Sequence, residues 1–139
     1  RGVHSMFEKL LTSIGIGNLK IDTRLEKLTF NEEEPIKGKV IFYGGSCDIK
    51  VEYIMLSLIE RVNNKDEDSD FAEFDNVLHK YKVNKSFVIK KGAQQEYEFE
   101  FKLEQIDFKG EPEEIFLKTH VHIDQSVGAD DEERLIIVR

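Results

Sequence analysis

Apolar and polar residues alternate with a period of two through most of the chain after residue 18, a pattern typical of strands with one solvated face. The clearest run is 96–103, in which large apolar residues alternate with glutamate and lysine. Burial of each such apolar side chain contributes roughly 1.5–3 kcal/mol. Similar runs predict about eight short strands, near residues 19–25, 36–42, 49–62, 77–83, 87–89, 96–103, 115–123 and 135–138.

Two finer expectations follow from the same pattern. In the run 77–83, we expect the alternate residues Val77, His79, Tyr81 and Val83 to share one face of a strand. Acidic residues concentrate between the predicted strands, where they would form solvated loops. These acidic segments are residues 32–34, 66–70, 111–114 and 130–133.

A segment ahead of the strands has helical spacing instead. Its apolar residues recur at i, i+3, i+4 and i+7, which places them on one face of a helix. Glycines at positions 15 and 17 would end that helix. The sequence therefore predicts one short N-terminal helix whose apolar face carries Phe7, Leu10, Leu11 and Ile14.

The predicted strands follow one another without long helices between them, which argues against a parallel sheet of β-α-β units. Strands with one solvated face bury the other face against a second sheet. The sequence therefore predicts an all-β fold, an antiparallel β-sandwich of immunoglobulin-like architecture. It lacks the Cys…Trp…Cys pattern of a true antibody-type domain.

Length and composition narrow the function classes. The 139 residues suffice for one domain, which we place at 6–139, with 1–5 interpreted as a cloning remnant ahead of Met6. The net charge of −8 argues against a nucleic-acid-binding protein. An integral membrane segment is not expected, because no apolar run is long enough. The single cysteine, Cys47, favours a reducing compartment, so we expect a cytoplasmic protein.

Two clusters resemble metal sites. Asp66, Asp68 and Asp70 have the spacing of a calcium loop, but Phe71 and Val77 occupy the positions that need glycine and glutamate. The calcium interpretation therefore fails at both diagnostic positions.

His120 and His122 alternate on a predicted strand, with Asp124 two residues further on, and two such imidazoles could share a transition metal. The alternative is an ordinary solvated sheet face. The sequence contains no nucleophile elbow, phosphate loop or dinucleotide fingerprint. We therefore expect no enzymatic activity and no cofactor, and keep a metal-dependent enzyme using the histidine pair as a minor alternative.

The segment Met6–Lys27 joins the predicted helix, a Gly-Ile-Gly turn and the first strand in one order. In this it resembles the bacterial sporulation-control proteins of stage zero, type M, and the resemblance spans nearly all of residues 6–139. One departure is the segment 104–108, where the family commonly has a proline-containing turn. Family members also continue into a second β-sandwich. Later motifs that fit the family are Phe30-x3-Glu34-x-Ile36-x-Gly38-x-Val40, Tyr81-Lys-Val-x2-Ser86-Phe-x-Ile89-x2-Gly92, Phe99-x-Phe101-x-Leu103 and Thr119-x-Val121-x-Ile123.

The resemblance implies an arrestin-like N-terminal lobe that acts as a non-enzymatic regulator early in sporulation, at the phosphorelay, with regulatory or cytoskeletal protein partners and a link to cell division. Proteins of this fold dock partners on sheet edges and loops. We expect contacts at the strand 19–26 and at the acidic loop, and a possible homodimer through an edge strand. A carbohydrate- or ligand-binding β-sandwich is the alternative. The candidate contact residues are Lys20, Asp22, Arg24, Asp66, Glu67, Asp68 and Asp70.

Overall fold

Strands dominate the part of the chain that the computed structural model describes, which is residues 18–63, 73–103, 114–123 and 128–138. The predicted N-terminal helix over Phe7–Ile14 lies outside these residues. The strands are β1 (Lys20–Leu25), β2 (Thr29–Asn31), β3 (Ile36–Tyr43), β4 (Ile49–Asn63), β5 (Glu73–Val83), β6 (Phe87–Ile89), β7 (Gln94–Phe101), β8 (Ile115–Ile123) and β9 (Ala129–Val138).

The strands form two sheets. The small sheet has three strands in the order β1-β3-β7, and the large sheet has six, in the order β2-β9-β8-β4-β5 with β6 also paired to β4. Neighbours pair antiparallel, as the sequence predicts, except for the short parallel pair of β2 and β9. The all-β expectation is therefore confirmed for the described residues.

Both sheets contribute to one hydrophobic cluster. Ile21, Val40 and Phe99 enter it from the small sheet, and Leu58 and Val121 enter it from the large sheet. The alternation of β7 is confirmed: Phe99 and Phe101 are buried, while the glutamates between and before them are exposed. Burial of these apolar faces is the main force that holds the two sheets together.

Polar side chains also link the sheets within the core. The Thr23 amide of β1 donates to Asp131 Oδ2 of β9 at 2.7 Å, and the hydroxyl oxygens of Thr23 and Thr119 lie 2.7 Å apart. All three residues are buried. Because a buried polar group is costly without a partner, these contacts specify how β1 sits against β8 and β9.

The prediction that four alternate residues share one face of β5 is wrong for the first of them, Val77. The pairing register of β4 and β5 shifts between Leu58 and Ile59, so that Leu58 pairs with His79 but Ile59 pairs with Val77. The extra residue, Leu78, moves Val77 away from the face of His79, and Val77 is 49% exposed. A bulge of this kind reverses the side-chain alternation on its far side.

The acidic segment 130–133 is also not a loop, because it forms part of β9. Asp131 is buried there, since its carboxylate accepts a hydrogen bond from the Thr23 amide.

The short strand β2 was not predicted. It buries Phe30, and the Asn31 side-chain oxygen accepts the amides of Glu33 and Glu34 in the turn that follows.

Gly38 marks the closest approach of strands in the small sheet. A Cβ at this position would lie 2.7 Å from Phe99 Cζ and closer still to the Arg24 carbonyl oxygen. Since carbon atoms do not approach so closely without displacement, only glycine lets β3 lie between β1 and β7 with Phe99 in its buried position.

Candidate functional site

The predicted contact residues of β1 lie on a strand at the edge of the small sheet. Arg24 Nε donates to Asp22 Oδ2 at 2.6 Å, and this hydrogen bond is the main cause of the raised pKa of Arg24. Asp22 is buried, whereas Lys20 and Arg24 are half-buried. Lys20 and Arg24 are therefore the accessible members of this predicted set.

The unpaired side of β1 is not wholly free for an incoming strand. Its Thr23 amide is already bonded to Asp131 of β9. A partner strand at this edge would compete with that buried contact. Arg24 also borders an open groove on the small sheet, together with Lys37, Lys39 and Glu98.

The predicted acidic contacts Asp66, Glu67, Asp68 and Asp70 lie outside the described residues. Asp75, just beyond them, is described, and it belongs to a network on the outer face of the large sheet. Arg61 Nε donates to Asp75 Oδ1 at 2.8 Å, and Arg61 Nη1 donates to Glu132 Oε1 at 3.1 Å. The Arg61 guanidinium also lies over the Phe116 ring, 4.5 Å from its centroid.

This network joins strands β5, β4, β8 and β9. The hydrogen bonds from Arg61 lower the pKa of the Asp75 carboxyl, and the two carboxylates raise the pKa of Arg61. Each charge is already neutralised by its neighbour across the strands. The arrangement is therefore suited to stabilising the sheet rather than to capturing an external ion.

His120 and His122 lie on the outer face of β8, as the alternation predicts. His120 Nδ1 is 2.7 Å from Asp130 Oδ1, and the His122 ring stacks on Tyr53 with centroids 4.7 Å apart. The centroids of the two imidazoles are 6.2 Å apart with the rings tilted. Asp124 lies outside the described residues.

Within the described ranges, no three histidine, cysteine or carboxylate groups are arranged to hold a metal ion. Cys47 is exposed. Residues 18–63, 73–103, 114–123 and 128–138 also contain no helix with the length and apolar content to cross a bilayer.

Two further sheet edges are candidate contact surfaces, although the sequence analysis did not predict contacts there. In the described residues, β5 pairs only with β4, and β7 pairs only with β3. The exposed apolar side chains of Phe74, Val77 and Tyr81 all lie on β5. Two outward lysines beside apolar residues could have indicated that β5 is an edge strand. The sequence alone, however, does not show which strand lies at the end of a sheet.

Comparison with known proteins places this fold. The model of the Spo0M family, described as SpoOM protein, matches residues 7–138. The chain belongs to the Spo0M family. The resemblance inferred from Met6–Lys27 and the later motifs is therefore confirmed.

A sequence comparison and a structure comparison with Bacillus subtilis Spo0M show the extent of the likeness. The sporulation-control protein Spo0M of Bacillus subtilis strain 168 is 34% identical over 99 residues, which are 71% of this chain and 38% of that protein. The crystal structure of Spo0M from Bacillus subtilis superposes with a TM-score of 0.71 at 25% identity, covering 87% of this chain and 49% of that chain. This Spo0M-family chain thus spans half or less of the relatives that it matches.

Proposed function

We propose that this chain is a regulatory protein-interaction module of sporulation control. The observation that carries the proposal is the Spo0M family match over residues 7–138, joined to the structural likeness to Bacillus Spo0M. The matched relative is a sporulation-control protein by name. We place the action of this chain early in sporulation, at the phosphorelay, in the cytoplasm and with a link to cell division.

The proposed architecture is an arrestin-like β-sandwich. One hydrophobic cluster receives side chains from both sheets, which is the layered packing expected of a sandwich. Such a scaffold is rigid in its centre and presents loops, outer faces and edges to partners. Partner proteins would be regulatory or cytoskeletal.

We propose that it works by docking rather than by catalysis. The groups that could have carried chemistry are engaged in ordinary structural contacts: His120 with Asp130, His122 with Tyr53, and Arg61 with two carboxylates. Unpaired strand edges, by contrast, offer amide and carbonyl groups that a partner strand completes.

A chimeric gene tests the sporulation role. In Bacillus subtilis, the part of Spo0M that matches this chain would be replaced by it, and heat-resistant spores would be counted beside strains with intact and deleted Spo0M. We expect spore counts close to those of the intact strain, because the chain has the matching fold. Protein levels measured by immunoblot control for expression.

A chimera that is present at normal levels but sporulates like the deletion strain would contradict the proposal. A chimera carrying Leu58→Asp supplies the matched negative control. Leu58 is fully buried, so an aspartate there would unfold the lobe.

A further inference from the structure

The two unpaired edges of the described sheets carry opposite charges. Lys80 and Lys82 alternate along β5 and are exposed, and they pair with Ser57 and Met55 of β4. Along β7, the exposed glutamates at positions 96, 98 and 100 form a row. Both rows point to the outer faces of their sheets, away from the shared core.

Aromatic residues occupy the inner side of the same edges. His79 and Tyr81 of β5 both stack on Phe101 of β7, with ring centroids 5.5 Å and 5.4 Å apart. Tyr81 remains 36% exposed. Within the described residues, the two unpaired edges therefore lie along one seam of the molecule, where Phe101 is buried but the rings of His79 and Tyr81 are only partly covered. We call this the β5–β7 seam.

Other strand edges in the described ranges are poorer candidates. The edge strand β1 has its Thr23 amide bonded to Asp131. The edge strands β2 and β6 have only 3 residues each, against 11 in β5 and 8 in β7. Among the described strands, the longest unpaired edges that an added strand could pair with therefore lie at the β5–β7 seam.

Charge decides which strand fits there. Two β5 edges would bring lysines together, and two β7 edges would bring glutamates together, so each edge repels its own kind. A β5 edge beside a β7 edge places lysines next to glutamates and aromatic rings next to aromatic rings. We propose that two copies of this chain associate through the seam, with β5 of each copy pairing β7 of the other.

This pairing closes with twofold symmetry. Both contacts form at once, because β5 and β7 lie at the same seam of each copy, so the interface is isologous and limited to a dimer. The large sheet of one copy would continue into the small sheet of the other. Outer faces then stay on the outside, and the partly covered rings of His79 and Tyr81 become buried between the layers.

Two charges at the seam are available for new ion pairs. Lys80 and Glu98 form no ion pair with another described residue, whereas Glu96 and Glu100 reach Lys39 and Lys37 on the neighbouring strand at 3.1 Å and 4.0 Å. Cross-strand pairs of opposite charge stabilise a sheet, and like charges directly opposite destabilise it. The dimer should accordingly weaken as salt is raised.

Sedimentation velocity of the purified chain, from micromolar to millimolar concentration, tests the proposal. We expect a reversible dimer that dissociates on dilution and in high salt. The variants Lys80→Glu/Lys82→Glu and Glu98→Lys/Glu100→Lys should each raise Kd by about tenfold or more, because like charges then face each other. Circular dichroism confirms that each variant is folded.

Mixing the two variants is the decisive step. In a mixed dimer, the acidic β5 of one variant meets the basic β7 of the other, and the unchanged edges meet in the second contact, so association should return to near the original Kd. The matched control is Lys27→Glu/Lys50→Glu, which makes the same charge change as the first variant but at exposed lysines outside β5 and β7, and it should leave Kd within about threefold.

The proposal would be overturned by a monomer at every concentration, by seam variants that associate as tightly as the original chain, or by folded variants whose mixture stays monomeric. Loss of the dimer in the control would place the contact elsewhere and would also overturn it. The measurement is made in vitro and does not depend on the sporulation role, so either proposal can fail while the other stands.

Discussion

Arg61 offers the sharpest test of what holds the large sheet together. The substitution Arg61→Ala removes hydrogen bonds to Asp75 and Glu132 and the contact with the Phe116 ring. The Arg61 side chain is 23% exposed, so these contacts are partly screened by solvent. The expected cost is therefore that of a partly exposed network, not of a fully buried ion pair.

The magnitude follows from three contacts. Each partly exposed ion pair contributes about 0.2–1 kcal/mol, and the cation–π contact contributes about 0.5–1 kcal/mol. We expect Arg61→Ala to lower the free energy of unfolding by about 1–3 kcal/mol. For a chain of this size, that lowers Tm by about 3–10 °C. Arg61→Lys should lie between, because lysine keeps the charge but not the planar, bidentate geometry.

The pH dependence gives the network a signature. The pKa of Asp75 is lowered from 3.8 in the folded protein, chiefly by hydrogen bonds from Arg61. A carboxyl whose pKa falls on folding contributes stability that is fully present above its unfolded pKa and is lost as pH falls through the folded pKa. The stability difference between the original chain and Arg61→Ala should therefore be constant near pH 7 and shrink below about pH 4.

Chemical denaturation at pH 7 and pH 3 measures both effects. A double-mutant cycle with Asp75→Asn isolates the coupling between the two residues, which we expect to be favourable. If Arg61→Ala changes stability by less than about 0.3 kcal/mol, or if the difference is as large at pH 3 as at pH 7, the network does not act as described.

Three further predictions concern other parts of the structure. Gly38→Ala should lower the free energy of unfolding, measured in urea, by about 1–3 kcal/mol, because the added carbon clashes between strands. A loss below about 0.5 kcal/mol, the size expected of an ordinary surface substitution, would refute this prediction. Thr23→Val should lower the free energy of unfolding by about 1–2 kcal/mol, whereas Thr29→Val, at an exposed position of β2, should change it by no more than about 0.5 kcal/mol. Equal losses in the two variants would contradict a stabilising contact between the sheets at Thr23. Zinc or EDTA should leave Tm unchanged, because His120 and His122 are engaged with other side chains; a rise in Tm with zinc would restore the metal hypothesis.

Much of the fold could be predicted because side-chain alternation is a local signal. From Glu96 to Phe101 in β7, glutamates and aromatic residues alternate, and in the structure the glutamates are exposed while Phe99 and Phe101 are buried. The outward direction of His120 and His122 followed from the same rule. In each case a strand needs only its own sequence to assign its two faces.

The errors arose where a distant residue decides the local structure. The bulge at Leu78 exists only through the pairing of β5 with β4, and the buried Asp131 has its partner 108 residues away in β1. The acidic residues next to Asp131 in the sequence favour a loop when only sequence neighbours are considered. The seam of β5 and β7 was missed for the same reason, because strand order is a property of the assembled sheets.

Our central proposal is that this Spo0M-family chain acts by docking and not by chemistry, and spore counts in the chimeric strain test it most directly. One chimera would carry Cys47→Ser, His120→Asn and His122→Asn, and a second would carry Lys80→Glu/Lys82→Glu, with equal protein levels. We predict that the first sporulates like the unmodified chimera and that the second sporulates less. The opposite result, in which removing the reactive groups abolishes sporulation and reversing the edge charge does not, would contradict the account.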